Sequence, residues 1–492
     1  MPEKLTLKSF SFFWLIFALL LLAACNATPD STNLLVWRGV GARPAGGDLG
    51  FINGDQFQPL MEVPAQAQQV NACGSTATSP DGRLFAFYVG GNSGRLYVMQ
   101  GKDAPRELGS ASAFSCLGNG TFHYSPDSRR MAYIDTGSTP TNGEFITGTL
   151  RVLAANDGSE LLNHENVAAF DLNNSSAAFI SFLTNNRRLV DEAVVWWWDG
   201  GQEREIATLK PDQNCRYTSA SLGLLPTDGA LLVMGQRCAG GQGSSWQLYR
   251  AGLNDNSLSL IANGTQRGGF LPYTRTNTLV IAPGGETAYF TVPDGVVAHT
   301  ASLHRVGLAD LEVEEVVARQ AVMPTLTDGT ANAFPLRSPD GRWWALVVTS
   351  PNNENTLTVL DLTNPQAEPL TVSAGDRGDM ILGMAFAPDS KRLYFVAGEN
   401  GGDNALMQLE LPGGAASRIR RGRYVPGVTL APDGGAMGLL EYQQPPDENQ
   451  QPYLSLMRVS SGGEVATVYA GATLADGRVT ERSFAVPLSW RP

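Results

Sequence analysis

The sequence is poor in charge. Only 17% of its 492 residues are Asp, Glu, Lys or Arg, against ~25% in an ordinary globular domain. Lysine is scarcest: beyond Lys4 and Lys8 only Lys102, Lys210 and Lys391 remain. The formal net charge is -12, and no basic run is expected. Nucleic-acid binding needs a positive stripe that displaces phosphate counterions, so no nucleic-acid partner is expected. Anionic membrane surfaces would repel the same body. Repeated long apolar spans, heptads and a Gly-X-Y period are missing, which excludes a multi-pass membrane protein, a coiled coil and collagen. What is plentiful is apolar residues at 43%, with 54 glycines and 29 prolines. Such a chain can bury a core and turns often.

Lys4 and Lys8 precede an apolar run from Phe10 to Ala24. It is short for a membrane span and has the tripartite build of a signal peptide. Its end, Leu22-Ala23-Ala24-Cys25, resembles the lipobox of bacterial lipoproteins. The resemblance implies cleavage before Cys25 and a lipid on that residue. Residues 1–24 are then the signal peptide and 25–33 a short polar tether. Asn26 in place of Asp lacks the inner-membrane retention signal of diderm bacteria. The expected address is the outer membrane in a diderm, or the outer face of the plasma membrane in a monoderm.

The remaining cysteines, Cys73, Cys116, Cys215 and Cys238, are even in number, as disulfides in an exported chain require. Four cysteines allow three pairings. Cys215 and Cys238 flank one hairpin and are the preferred pair, which leaves Cys73 with Cys116. Four buried thiols are the other reading.

A turn motif recurs through the chain. It reads Ser79-Pro80-Asp81-Gly82, Ser125-Pro126-Asp127-Ser128, Ser338-Pro339-Asp340-Gly341, Ala387-Pro388-Asp389-Ser390 and Ala431-Pro432-Asp433-Gly434, with a looser copy at Pro226-Thr227-Asp228-Gly229. The spacing is about 50 residues, a length typical of one supersecondary repeat. The gaps on either side of Asp228 are about twice that, so degenerate copies are expected near 175 and 284. Asn173-Asn174-Ser175-Ser176 and Ala282-Pro283-Gly284-Gly285 lie there. Proline presets the second turn position, aspartate bonds the backbone ahead of it, and glycine accepts positive φ. Asp81, Asp127, Asp228, Asp340, Asp389 and Asp433 are therefore read as structural. Short apolar runs such as Leu84–Phe87 and Leu393–Val396 follow the turns, and a further strand such as Leu96–Met99 comes next. Four antiparallel strands per repeat make a β-propeller blade.

The Ser-Pro-Asp-Gly turn, the apolar strand and the Leu-Tyr-Val strand together resemble the WD40-like repeats of TolB-type propellers. The resemblance covers nearly all of residues 34–492 and implies one all-β propeller domain of eight to nine four-stranded antiparallel blades. It departs from TolB in lacking the small α/β domain before the propeller and in carrying a lipid anchor. Residues 34–63 read as a blade without its first strand, and Phe484–Pro492 as the missing strand. Joining the two closes the ring and removes exposed edges.

No catalytic site is expected. There is no Gly-x-Ser-x-Gly elbow, P-loop, Cys-x-x-Cys or EF-hand spacing, and the repeats leave no room for a hydrolase domain. His123, His164, His299 and His304 do not recur at equivalent repeat positions, so neither metal nor cofactor is expected. Trp196-Trp197-Trp198 reads as packing between blades, with a sugar-stacking platform as the alternative. Insertions fall on the face opposite the Pro-Asp-Gly turns: 39–48, 136–148, 239–245, 320–332, 398–404 and 443–452. Variable loops on a rigid scaffold are where binding sits. Asp376, Arg377 and Asp379 are the candidate binding residues on that face. The resemblance implies a monomeric, lipid-anchored, non-catalytic protein-interaction scaffold at the cell envelope. The alternative is a lipoprotein that binds a glycan or solute in the central pocket, and a propeller lyase or glycosidase is the third reading.

Overall fold

A proline-aspartate turn every half-hundred residues leaves room for strands and little else. The computed structural model describes residues 33–490 except 41–44, 54–55, 74–76, 92, 113–114, 117–121, 137–146, 185–189, 227–228, 240–243, 267–278, 295–299, 323–335, 350–353, 400–401, 426, 444–452, 470–471, 474–478 and 482. Among the described residues there is no α-helix, and no helix long and apolar enough to cross a membrane. Cys25 and its tether, His299 and Asp228 lie outside the described residues.

The strands form five four-stranded sheets and single sheets of seven, eight and two strands. Among the described residues all pairings are antiparallel, and all but two join consecutive strands: Val313–Val322 meets Trp343–Thr349 at Ala321 and Val348, and the two ends of the chain meet. Ser483–Trp490 pairs with Leu34–Val40, so the last strand completes the first sheet. The seven-stranded sheet arises because Glu160–Leu172 serves two repeats. Its first half pairs with Gly148–Ala154 and its second with Ala177–Thr184, with a register break between Val167 and Ala169.

The cores lie between sheets. Alternate residues of a strand point to opposite faces, so each sheet feeds two cores. In Val190–Trp198, Ala193, Val195 and Trp197 pack with Tyr217, Leu232 and Met234 of the following repeat. Trp196 and Trp198 pack the other way, with Ala132, Ile134 and Val152 of the preceding one. The last core joins Leu34, Val36, Ile52 and Trp490 of the first sheet to Ala431, Ala436 and Leu456 of the last repeat. Burial of each such aliphatic or aromatic side chain contributes ~1.5–3 kcal/mol.

The turns are built from their own side chains. Ser79, Ser125 and Ser338 each donate a hydroxyl to the aspartate two residues on, at 2.6 Å. Those aspartates accept the N–H of Arg83, Arg129 and Arg342 at 3.0–3.1 Å. In the degenerate copy Asn173 takes both parts, accepting from Ser175 N–H, Ser176 N–H and the Ser176 hydroxyl. Consecutive turns are also linked. The Asp81 N–H donates to Ser128 Oγ at 3.1 Å, Asp127 N–H to Asn174 Oδ1 at 2.9 Å, and Asp340 N–H to Ser390 Oγ at 3.1 Å.

Both preferred disulfides are present. Cys215 and Cys238 face each other in the register of one strand pair. Cys73 and Cys116 tie the end of Gln69–Ala72 to the segment before Phe122–Tyr124.

Candidate groove on the loop face

The strand Ala416–Gly422 and its exit carry Arg418, Arg420, Arg421 and Arg423. This is a basic run, and it corrects the expectation that the chain has none. Whole-chain charge hides it, because acidic residues elsewhere outnumber it. The signal was open to a local count of arginine.

A bulge decides where these arginines point. On a regular strand, positions 418 and 421 would lie on opposite faces. Here the register shifts between Leu406 and Met407, so Arg418 stands opposite Met407 and Arg421 opposite Ala405. Met407 and Ala405 share a face, and so do the two arginines. Arg420 lies opposite Leu406, on the other face, beside Tyr424.

Arg418 and Arg421 line a groove of ≈ 890 Å³ at the loop end of the sheets. Small residues, among them Ala374, Ala397, Gly398 and Ala405, make its floor and leave the space open. Asp379, Asp403, Glu441, Arg423 and Tyr442 complete its charged and aromatic wall.

The wall is held by local bonds. Asn404 is buried, and its amide both donates to the Tyr424 carbonyl at 2.7 Å and accepts the Tyr424 N–H at 2.8 Å. This clamps the strand exit against the neighbouring loop. Burial, helped by Glu441 and opposed by Arg420, pushes the Tyr424 phenol up to about 12. The three acids are all engaged. Asp379 accepts the Asp376 N–H at 2.8 Å, Asp403 holds Arg423 at 3.3 Å, and Glu441 accepts the Gln443 amide at 3.0 Å. Gly375, with φ of +136°, lets the Asp379 carboxylate fold in; a Cβ there would meet it at 2.2 Å.

Of the three candidate binding residues, Asp379 lines the groove, and Asp376 and Arg377 belong to the adjoining turn. Asp379 closes that turn, so its carboxylate is used within the loop.

The histidines are held apart. His123 Nδ1 lies 3.6 Å from Asp171, which also accepts the Leu224 N–H at 2.8 Å. His164 Nδ1 lies 2.5 Å from Glu203 and packs against Phe179 and Trp196. His304 is stacked on Phe290. No cluster of three metal-ligating side chains occurs among the described residues. The tryptophan triplet is packing: Trp196 stacks on Phe179 and donates to Ser181 Oγ at 2.8 Å, and Trp198 lies under the Arg130 guanidinium.

No family model matches the chain, and no curated protein matches it. Solved structures similar to it include dipeptidyl peptidase 4 of Porphyromonas gingivalis, at TM-score 0.51 and 9% identity over 81% of this chain and 60% of that one. The β-propeller domain of the Trilobed protease of Pyrococcus furiosus is similar at TM-score 0.33 and 14% identity, over 71% of this chain and 97% of that one. TolB of Acinetobacter baumannii is similar at TM-score 0.26 and 12% identity, over 72% of this chain and 81% of that one. The likeness to the first of these, at 9% identity, is one of fold alone.

Proposed function

We propose that the chain is an extracytoplasmic, lipid-anchored β-propeller that acts as a non-catalytic protein-interaction scaffold at the cell envelope. In this reading the sheets are nine blades in a closed ring. Its support is the succession of cores between neighbouring repeats, ending with the core shared by the last and first sheets. Two disulfides support an oxidising compartment. The lipid at Cys25 rests on the lipobox-like leader.

The observation that carries the scaffold reading is the groove. It joins arginines and an exposed tyrosine on the face away from the tight turns. Arginine and tyrosine are among the residues enriched where proteins meet. The test is site-specific photo-crosslinking in native membranes. A crosslinking amino acid at Tyr442 is expected to trap one stoichiometric envelope protein, and the same probe at Arg83 or Arg129 on the turn face none. Cys25→Ala is expected to abolish metabolic labelling by palmitate and to leave the apolar leader attached, seen as a heavier band on a gel. Equal trapping from both faces, or none from either, overturns the scaffold reading.

A further inference from the structure

We infer that the groove is the receptor for an acidic, extended peptide segment of a protein partner, with Arg418 and Arg421 taking its carboxylates and Tyr442 an adjoining apolar side chain. This rests on the scaffold reading and names the chemistry of its partner.

Two positive charges of the groove have no ion-pair partner among the described residues. The groove wall carries as many acids as arginines. Asp403 is paired with Arg423, and Asp379 and Glu441 are turned onto the neutral N–H groups of Asp376 and Gln443 rather than onto the other two arginines. Arg418 and Arg421 are exposed, on one face, and in no ion pair among the described residues. The guanidinium fork matches a carboxylate with two parallel hydrogen bonds. Two such forks side by side suit carboxylates along an extended chain.

The apolar part selects peptide over glycan. Tyr442 is 37% exposed, one of the few large hydrophobics left open among the described residues. Sugar recognition favours broad aromatic platforms, yet among the described residues no tryptophan lines the groove, and the Trp196–Trp198 run is spent in packing. Long-range charge adds selectivity. The chain bears -12 overall, so an acidic segment is repelled elsewhere and settles at the cationic pair.

The test uses the full-length lipidated protein in detergent and a fluorescein-labelled decapeptide of Asp and Glu with one central Phe, read by anisotropy. Saturable binding is expected, weakening steeply as salt rises. Arg418→Gln with Arg421→Gln is expected to weaken it at least tenfold, and Tyr442→Ala about fivefold, roughly the loss of a moderate interface contact. Arg129→Gln on the turn face is expected to leave it unchanged. These side chains are exposed, and an unaltered melting curve shows that the variants fold. Three results overturn the inference: no saturable binding of the acidic peptide, binding that survives the double substitution, or tighter binding of oligogalacturonate or phosphatidylglycerol vesicles. If groove crosslinking to an envelope protein persists while the peptide fails, the inference falls and the scaffold stands. If both fail, both fall.

Discussion

Ser390 occupies a position where most copies of the turn have glycine. Its φ is +58°, a region in which a side chain is disfavoured. Its hydroxyl accepts the Asp340 N–H from the preceding turn, which is why serine is useful there. Two substitutions separate the effects. Ser390→Ala keeps the strain and loses the bond, so it is expected to cost about 1 kcal/mol in denaturant melts. Ser390→Gly loses the bond and relieves the strain, so it is expected to come out near neutral. The turn itself was legible because proline, aspartate and glycine act locally. The link from one turn to the next was not, because it joins residues a full repeat apart. Recurrent arginines were hidden for the same reason: Arg106 donates to the Ala155 and Asn156 carbonyls, Arg204 to Leu253, and Arg305 to Pro365. His304 gives a pH test. Burial pushes its imidazole below the ordinary value, and Glu315 at 4.0 Å opposes that only in part. The unfolded chain therefore takes up the proton first, and stability is full above about pH 6.5 and lost as pH falls through that range. His304→Phe, stacked in the same place on Phe290, is expected to flatten that slope in melts run from pH 5 to 8.

At the scale of strands, the repeat showed how many there are and where they turn, while pairing errors in the pattern stayed concealed. The bulge between Leu406 and Met407 has no glycine or proline to announce it. It nonetheless decides that Arg418 and Arg421 share a face, so the groove could not be assembled from alternation alone. Asp376–Asp379 stood out in sequence as a charged entry to a strand, and it proves to be a loop that Asp379 bonds shut. The Cys215–Cys238 hairpin was readable because both cysteines flank one turn. Its bond spans 23 residues, and closing a loop of that size in the unfolded chain contributes about 3 kcal/mol. Cys215→Ser with Cys238→Ser is expected to lower stability by about that amount in urea. The peptide affinity of the groove should not change, because the hairpin lies in another sheet. A loss of peptide binding at full folding would show that the two sheets are coupled.

For the whole molecule, the decisive pairing is between its two ends. Ser483–Trp490 covers the edge of Leu34–Val40, and Ala485 and Trp490 enter the core shared with the last repeat. Deleting residues 483–492 uncovers that edge and opens the core. The expected outcome is a broad, non-cooperative urea transition and concentration-dependent association by size-exclusion chromatography, since bare strand edges recruit other strands. A sharp monomeric transition would show that the terminal strand is dispensable. The pairing also acts as a timer. The partner of Leu34–Val40 is made about 440 residues later. At ~5–20 residues per second, the first sheet waits roughly 20–90 s for its last strand. Every chain that stops early, at whatever codon, therefore carries the same unfinished edge at its start. One structural mark would let a protease recognise every product that stops before residue 483, and the strand Ser483–Trp490 erases it.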